Sequence, residues 1–366
     1  MSAIRINIVL FGIGNVGSKL ISQILESQKF FLEKRNIELR FPVITNSTLA
    51  FFEKDGIANQ WEADFRRSAF PYTFGDIISY VQEQQLDNLI AIDATNSDTL
   101  IKNYISLVQN GFDIVSANKN ANTVHIDFYK ELRRNLKKFD KTFHYGASVS
   151  GGLPILDTIR DLYLSGEEIT KVRGVFSESL SYIFNRFSRE DVSFSTLLEE
   201  AEKLKLAPSD SRLDLATAEV AEKVLILARE LGLEADYTDV RINSLHYPNA
   251  NHPQLKPDST IQKKLLDSSY QVAKLSQSRS RVLRYIGEID LKEKTVEAKL
   301  VSESEVTPIG QLNGATTLVE IYTGSNPDNP IVIQGSGTES SSIARSILKD
   351  ILKIAEQVKV REAVWA

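Results

Sequence analysis

Three glycines near residue 12 have the spacing of turns that bind the pyrophosphate of a dinucleotide. Gly12, Gly14 and Gly17 follow a β-branched apolar run and precede a run with apolar residues at helical spacing. In such a turn the first glycine permits the bend, the second lets a phosphate approach and the third allows close packing. The alternative is a glycine-rich turn that serves another ligand. We predict cofactor contacts from five consecutive residues: Gly12, Ile13, Gly14, Asn15 and Val16.

Polar residues follow two later predicted strands of the first domain. Thr95 lies in the run Asp93–Ser97 after the predicted strand Leu89–Asp93, and Lys119 follows the predicted strand Asp113–Ser116 in the same way. Ligands of parallel sheets lie outside the carboxyl ends of the strands, so we predict that Thr95 and Lys119 contact a cofactor. A lysine at this position could also transfer a proton. The alternatives are a helix cap at the threonine and a solvated surface lysine.

Glu219 and Lys223 lie four residues apart on the predicted helix Ala216–Leu231. The lysine stands at the border of an apolar stripe formed by Val220, Val224, Leu227 and Leu231. The spacing favours a surface ion pair, which contributes about 0.2–0.5 kcal/mol. The alternative is an acid–lysine couple that lines a cleft between domains.

The second predicted strand ends without the acidic residue that binds the adenosine ribose of NAD in many domains of this class. The run Val43–Thr48 contains only Val, Ile, Thr, Asn and Ser. The sequence therefore leaves NADP or NAD open as the cofactor.

Alternating strand and helix patterns over the first 145 residues predict right-handed crossovers and a parallel sheet. The fold class is therefore α/β, with a Rossmann-type parallel-sheet domain followed by a second α+β domain. The predicted strands of the first domain are Ile4–Phe11, Ile37–Thr45, Leu89–Asp93, Asp113–Ser116 and Thr142–Tyr145, and two predicted helices are Asp76–Gln84 and Leu100–Gln109.

The second domain is expected to hold a mixed or antiparallel sheet. Its predicted strands are separated by short turns rather than by helices: Lys171–Phe176, Arg281–Ile289, Thr295–Val301, Thr317–Tyr322 and Ile331–Gln334. We predict a dinucleotide-binding domain over residues 1–150 and a catalytic and dimerisation domain over residues 151–340. The amphipathic C-terminal helix, residues 341–366, is expected to return to the first domain.

Composition excludes several classes of function. The chain has 366 residues, 42% hydrophobic and 25% charged, which is typical of a globular protein. A net charge of −5 argues against nucleic acid, and no apolar run approaches membrane-spanning length. The sequence contains 0 cysteines, which excludes thiolate metal sites and disulfides. Because the first residues lack the apolar core of a signal peptide, we expect a cytoplasmic protein.

The chain resembles the homoserine dehydrogenase family, in its short form without a fused aspartate kinase, over essentially its full length. The most specific similarity lies between Tyr145 and Asn185. The segments that carry the resemblance are Ala147–Ile155, Gly174–Asn185, the lysine helix Ala221–Arg229, the lysine motif Ala117–Lys119 and the strand Pro330–Gly335.

The resemblance implies an enzyme that reduces aspartate semialdehyde to homoserine with NADPH or NADH, a step of threonine and methionine biosynthesis. Lys119 and Lys223 are then the candidates for proton donor and orienting group. Backbone carbonyls of Val149, Gly151 and Leu153 correspond to a sodium-type cation site, because hard cations take carbonyl oxygens. The resemblance also implies a homodimer acting on a small-molecule substrate.

Five departures from the family pattern concern the substrate, the cation and the edge where the nicotinamide is expected. Pro208 replaces a substrate-binding glutamate, Glu219 replaces an aspartate and Glu178 replaces a glycine. We predict that Glu178 and Glu219 bind the substrate, since a lost charged hydrogen bond at Pro208 costs about 1.5–3 kcal/mol. Gly146 replaces a glutamate of the cation loop, and the turn Ser336–Ser340 carries an additional acid.

Three hypotheses follow. The first is a homoserine dehydrogenase. The second is a paralogue that acts on a different aldehyde or alcohol, with Glu178 reshaping the pocket. The third is a catalytically weak, cofactor-binding sensor or partner subunit, against which the retention of both lysines argues.

Overall fold

The computed structural model describes residues 3–206, 213–243, 260–337 and 339–365. The chain divides into two compact units: unit 1 comprises Met1–Gly152 and Thr338–Ala366, and unit 2 comprises Leu153–Gly337. Pro208 and the predicted loop Tyr247–Pro257 lie outside the described residues.

Unit 1 contains a seven-stranded sheet with the order β4-β3-β2-β1-β5-β6-β7. Five strands run parallel, and the short β3 and β4 extend one edge in antiparallel pairing. This sheet confirms the predicted Rossmann-type parallel domain. The strands are β1 (Ile4–Phe11), β2 (Ile37–Thr45), β3 (Leu49–Phe52), β4 (Phe70–Pro71), β5 (Leu89–Asp93), β6 (Asp113–Ser116) and β7 (Phe143–His144).

The carboxyl ends of the four central strands lie in register. Phe11 at the end of β1 pairs with Thr45 of β2 on one side and with Asp93 of β5 on the other, and Asp93 pairs with Ser116 of β6. The chain order changes direction at β1, which is where α/β sheets of this kind bind ligands. The residues that follow these strands are thus brought together at one edge.

The helices of unit 1 connect these strands. In the first of them the buried residues Gly17, Leu20, Ile21 and Ile24 recur at helical spacing and face the sheet. The helices are α1 (Asn15–Phe30), α2 (Trp61–Ser68), α3 (Phe74–Glu83), α4 (Asp98–Ile101), α5 (Tyr104–Gln109), α6 (Ile126–Lys138) and α7 (Gly146–Ser150).

One predicted helix is divided. The run Leu100–Gln109 forms α4 and α5, separated by a turn at Lys102 and Asn103. Buried apolar residues continue at helical spacing through the break, from Ile101 to Leu107, so periodicity could not reveal it.

Unit 2 contains a six-stranded sheet with the order β13-β12-β8-β10-β11-β9. Neighbouring strands are antiparallel except β9, which pairs parallel with β11. The predicted mixed sheet is therefore confirmed, and strand bounds differ from the predicted ones by a few residues. The strands are β8 (Ile169–Val175), β9 (Arg241–Ile242), β10 (Arg281–Asp290), β11 (Thr295–Ser304), β12 (Thr317–Thr323) and β13 (Ile331–Gly335).

The helices of unit 2 cover this sheet. Its longest helix is buried on almost every side between Val220 and Ala228, rather than along one stripe. A helix of that kind belongs to the interior of its domain. The helices are α8 (Ile155–Leu164), α9 (Glu178–Arg189), α10 (Phe194–Lys203), α11 (Leu213–Glu230), α12 (Thr260–Leu275) and α13 (Pro308–Gln311).

The last helix, α14 (Ser340–Trp365), belongs to unit 1 and packs against α1. Ala344, Ile347, Ile351 and Ile354 are buried in the core that includes β1 and β2. Among the described residues, no helix is both long and apolar enough to cross a membrane.

Candidate active site

The three glycines of the first turn have three different surroundings. Gly12 has a φ of 97°, and a Cβ there would lie 2.9 Å from Cγ2 of Thr95. A Cβ on Gly17 would lie 1.9 Å from the carbonyl oxygen of Gly12, which no rearrangement short of moving α1 could relieve. By contrast, a Cβ on Gly14 would meet no atom of the described residues within 4 Å, apart from its chain neighbours. The surrounding protein therefore leaves no room for a side chain at Gly12 and Gly17, which we call the closed positions of the turn. Gly14 is its open position.

The start of α1 is suited to hold an anion. Gly14 precedes the helix and has no side chain to cap it, and the first turn contains no acidic residue. Helix N-termini carry unsatisfied N–H groups and a partial positive charge, which a phosphate can satisfy. The residues present thus fit the pyrophosphate of a dinucleotide.

The end of β2 forms a local turn. The Asn46 side chain accepts hydrogen bonds from the backbone N–H groups of Thr48 (2.9 Å) and Leu49 (2.7 Å). The hydroxyl of Thr45 is buried and has no hydrogen-bond partner among the described residues. The described end of β2 carries no acidic side chain, which leaves NADP or NAD open as the cofactor.

Asp93 connects three segments at the carboxyl edge of the sheet. One carboxylate oxygen accepts from the backbone N–H (2.8 Å) and hydroxyl (2.7 Å) of Thr95. The other accepts from the hydroxyl of Tyr104 (2.7 Å) and the side-chain amide of Asn118 (3.1 Å). Asp93 is 1% exposed. From this buried position its hydrogen bonds hold Thr95 and the segment that precedes Lys119 in place.

Burial raises the pKa of Asp93, while hydrogen bonds from Thr95, Tyr104 and Asn118 act in the opposite direction. Burial and the neighbouring carboxylate also raise the pKa of Tyr104 well above its ordinary value. Tyr104 therefore stays protonated and donates a hydrogen bond to Asp93. The network had no recognisable motif in the sequence, because Tyr104 and Asn118 belong to different segments.

Lys119 is half-buried and directly follows this network. The side chain of Asn118 also donates to the carbonyl of Ser97 at 3.0 Å, and its oxygen accepts from the N–H of Asn120 at 3.0 Å. The backbone at Lys119 is thereby held on both sides. The structure places Thr95 and Lys119 at the same sheet edge as the glycine turn.

Lys223 is buried inside unit 2. Its ammonium group donates to the carbonyl oxygen of Phe176 at 2.7 Å and lies 2.8 Å from a carboxylate oxygen of Glu219. The lysine side chain is 7% exposed and the glutamate side chain 38%. The surface ion pair favoured by spacing is therefore wrong for Lys223. An ammonium group has three hydrogens, so the two acceptors found among the described residues leave one for a ligand.

Glu178 is the first residue of α9 and contacts the segment after β13. Its carboxylate accepts from the hydroxyl of Ser336 at 3.0 Å and from the N–H of Gly337 at 3.3 Å. Ser177 caps the same helix. The carboxylate that replaces a glycine of the family pattern thus fastens this segment within unit 2.

The proposed cation carbonyls fall on both sides of the boundary between the units. Val149 and Gly151 belong to unit 1, and Leu153 belongs to unit 2, where its carbonyl accepts from the N–H of Ile155 at 3.0 Å. The nearby departure at Gly146 has no structural explanation. A Cβ there would lie 3.4 Å from a carboxylate oxygen of Asp350 on α14, which is ordinary contact distance.

Comparisons with known proteins agree in one family. Residues 12–146 match the family model described as the NAD-binding domain of homoserine dehydrogenase, and residues 154–352 match the model of homoserine dehydrogenase. The bifunctional aspartokinase/homoserine dehydrogenase of Buchnera aphidicola is 30% identical over 95% of this chain, which spans only 42% of that relative. The homoserine dehydrogenase of Saccharomyces cerevisiae is 30% identical over 98% of this chain and 100% of its own length.

A solved structure has the same fold. The crystal structure of a protein of unknown function from Candida auris superposes with a TM-score of 0.85 and 26% identity. The superposition covers 96% of this chain and 98% of that protein.

Proposed function

Because this chain belongs to the homoserine dehydrogenase family, we propose that it interconverts aspartate 4-semialdehyde and homoserine with NADPH or NADH. The observation that carries the proposal is Lys223, an ammonium group buried in unit 2 and held by two acceptors. A buried lysine with a fixed orientation is suited to donate a proton to an oxygen that becomes an alcohol.

When bound, the nicotinamide dinucleotide supplies the hydride for the aldehyde carbon. We assign its binding to Gly12–Val16, Thr95 and Lys119, because they share one sheet edge in unit 1. The proton for the substrate oxygen comes from Lys223, with Lys119 as the second candidate. In the reverse direction the lysine accepts that proton from the alcohol.

Substrate binding is assigned to Glu219 and Glu178. Glu219 is half-exposed and fixed at one oxygen by Lys223, and a carboxylate suits the ammonium group of an amino acid substrate. We extend the proposal to a monovalent cation at the carbonyls of Val149, Gly151 and Leu153, since oxygen ligands of this kind suit a hard cation. We further propose that the chain forms a homodimer, which analytical sedimentation of the purified protein tests. Its cytoplasmic location stays a prediction.

The test is an assay of the purified full chain. Aspartate semialdehyde is added with NADPH or NADH, and loss of absorbance of the reduced cofactor is followed; homoserine with the oxidised cofactors gives the reverse reaction. Lys223→Ala should abolish most turnover. Lys29→Ala is the matched control, because Lys29 forms an i,i+4 pair with Glu33 on an exposed helix face.

Glu178 favours the second candidate, a paralogue for a different aldehyde. Its carboxylate stands where the family pattern has a glycine and is fastened to Ser336 and Gly337. Turnover of another aldehyde, with little or none of aspartate semialdehyde, supports that candidate. Binding of the dinucleotide without turnover of any aldehyde contradicts both candidates and favours the sensor hypothesis.

A further inference from the structure

Gly287 lies on β10, where that strand packs against helix α11. A Cβ at this position would lie 2.2 Å from Cγ1 of Val224 and 3.0 Å from the ring of Phe176. Val224 and Phe176 are 0% and 1% exposed, so neither side chain has free space to move into. A β-branched side chain in a helix is also restricted to one main rotamer.

The two residues against Gly287 are the ones that position Lys223. Val224 is its neighbour in α11, and the carbonyl of Phe176 accepts the hydrogen bond from its ammonium group at 2.7 Å. A side chain at position 287 would push the helix that carries the lysine and the residue that holds its ammonium group. Lys223 could then no longer make the hydrogen bond to Phe176 and the pair with Glu219 at the same time.

We propose that Gly287 is a positioning residue for Lys223: its missing side chain lets α11 approach β10 closely enough for Lys223 to reach the carbonyl of Phe176. The inference depends on the proposed function only in giving Lys223 a role in the reaction. The glycine itself touches neither the ammonium group nor any ligand.

A glycine elsewhere in unit 2 supplies the matched control. A Cβ on Gly324, after β12, would meet its nearest atoms at 3.4 Å and 3.5 Å, both on the side chain of Glu168, which is ordinary contact distance. Gly324→Ala therefore makes the same chemical change at a site with room for it.

The first measurement does not depend on activity. The full chain is treated with formaldehyde and a borohydride reagent, and methylation of Lys223 is quantified by peptide mass spectrometry. In the native protein and in Gly324→Ala, burial should protect Lys223. In Gly287→Ala, labelling of Lys223 should rise severalfold, while labelling of exposed Lys29 stays constant.

The second measurement is kinetic. In Gly287→Ala, kcat should fall by about a hundredfold, as expected for a misplacement of roughly 1 Å. The Kd of the dinucleotide should stay constant, because its predicted turn lies in unit 1. The pH profile of kcat should also change its shape, which a mere loss of folded protein would not cause.

Removing the opposing methyl group completes a double-mutant cycle. Val224→Ala leaves a gap at the same contact and should raise labelling of Lys223 by a smaller factor than Gly287→Ala does. The double variant Gly287→Ala/Val224→Ala should return labelling and kcat toward the values of Val224→Ala. If Gly287→Ala does not fold, the double variant decides: its recovery as a folded protein with Lys223 protected shows that the contact with Val224 caused the failure.

The inference is overturned if Gly287→Ala matches Gly324→Ala in labelling and kcat or, when Gly287→Ala cannot be obtained, if the double variant is not recovered with Lys223 protected. Failure of the proposed function is a separate outcome. A native chain without turnover of aspartate semialdehyde leaves the labelling comparison as a complete test of the positioning itself.

Discussion

The glycine turn of unit 1 and the lysine site of unit 2 both depend on glycines, but they differ in how far apart their partners lie in the chain. Gly17 admits the carbonyl oxygen of Gly12, five positions earlier, so the whole device fits in one short motif. Lys223 depends on Phe176 and Gly287, which lie on different strands and loops. A site whose residues are close in the sequence can be recognised from their spacing. A site that tertiary packing assembles from distant residues cannot.

Substitution of Lys223 should have the largest effect and tests whether the lysine site carries the chemistry. Lys223→Ala should lower kcat by about 10²–10⁴-fold, the usual contribution of a proton donor. The Kd of NADPH, measured by fluorescence titration, should change little because the glycine turn does not use this lysine. Loss of cofactor binding together with kcat would contradict the separation of the two sites.

The glycine turn should respond differently at its closed and open positions. Gly17→Ala forces a Cβ against the carbonyl of Gly12 and should cost about 1–3 kcal/mol of unfolding free energy, measured with urea, along with cofactor binding.

In Gly14→Ala the new Cβ has room among the described residues, so the unfolding free energy should change by less than about 1 kcal/mol. It should nevertheless weaken dinucleotide binding by about tenfold to a hundredfold, the equivalent of one charged hydrogen bond. Unchanged binding in Gly14→Ala would remove the open position from the cofactor site.

Asp93 tests whether unit 1 also depends on non-local contacts. In Asp93→Asn one carboxylate oxygen becomes an NH2 group, which faces an N–H donor in either orientation, that of Thr95 or that of Asn118. The network that holds the segment before Lys119 should therefore loosen. We expect kcat to fall by about tenfold with a smaller change in protein stability. Tyr104→Phe is the control, since it removes one donor and leaves the carboxylate contact to Asn118.

The difference in stability between the native chain and Asp93→Asn should depend on pH, in a direction that the pKa of Asp93 sets. The pKa of Asp93 is raised by burial, so the folded state binds its proton more tightly than the unfolded chain does. Its contribution to stability is present below the ordinary value of 3.8 and is lost as pH rises through the folded value. The stability advantage of the native chain over Asp93→Asn should therefore be larger at pH 4 than at pH 7, in urea unfolding at both.

Glu178 should give the smallest effect and the sharpest distinction between substrates. If it helps to hold the substrate, Glu178→Gly raises the KM for aspartate semialdehyde by about tenfold or less, while Glu178→Gln keeps the contact to Ser336. A lower KM in Glu178→Gly would favour the paralogue for a different aldehyde.

Much of the fold could be predicted because its determinants are local. The strands Ile4–Phe11, Ile37–Thr45, Leu89–Asp93 and Asp113–Ser116 have the predicted bounds, since each is an apolar run ended by a small or polar residue. The family resemblance is confirmed by both family models. The strand β3 was not predicted, because it turns back from β2 in antiparallel pairing and lies outside the strand–helix alternation that identified the parallel strands.

The candidate site could be predicted as a set of residues but not as an arrangement. The stripe of Val220 and Leu227 suggested a border position for Lys223. Between Val220 and Ala228, however, α11 is buried on almost every side, because Ala221, Leu225 and Ala228 are buried as well. Alanine and leucine on the opposite face can pack against either solvent or protein, and only the tertiary structure decides between them.

The place of α14 in unit 1 affects how the chain folds during synthesis. Residues that cover the apolar side of α1 and β1 leave the ribosome only after all of unit 2 has been made. Until then an incomplete parallel sheet exposes apolar surface, the condition in which nascent chains aggregate or recruit chaperones. Unit 2, by contrast, is contiguous and can complete its core first, so the dinucleotide-binding unit begins first and is finished last.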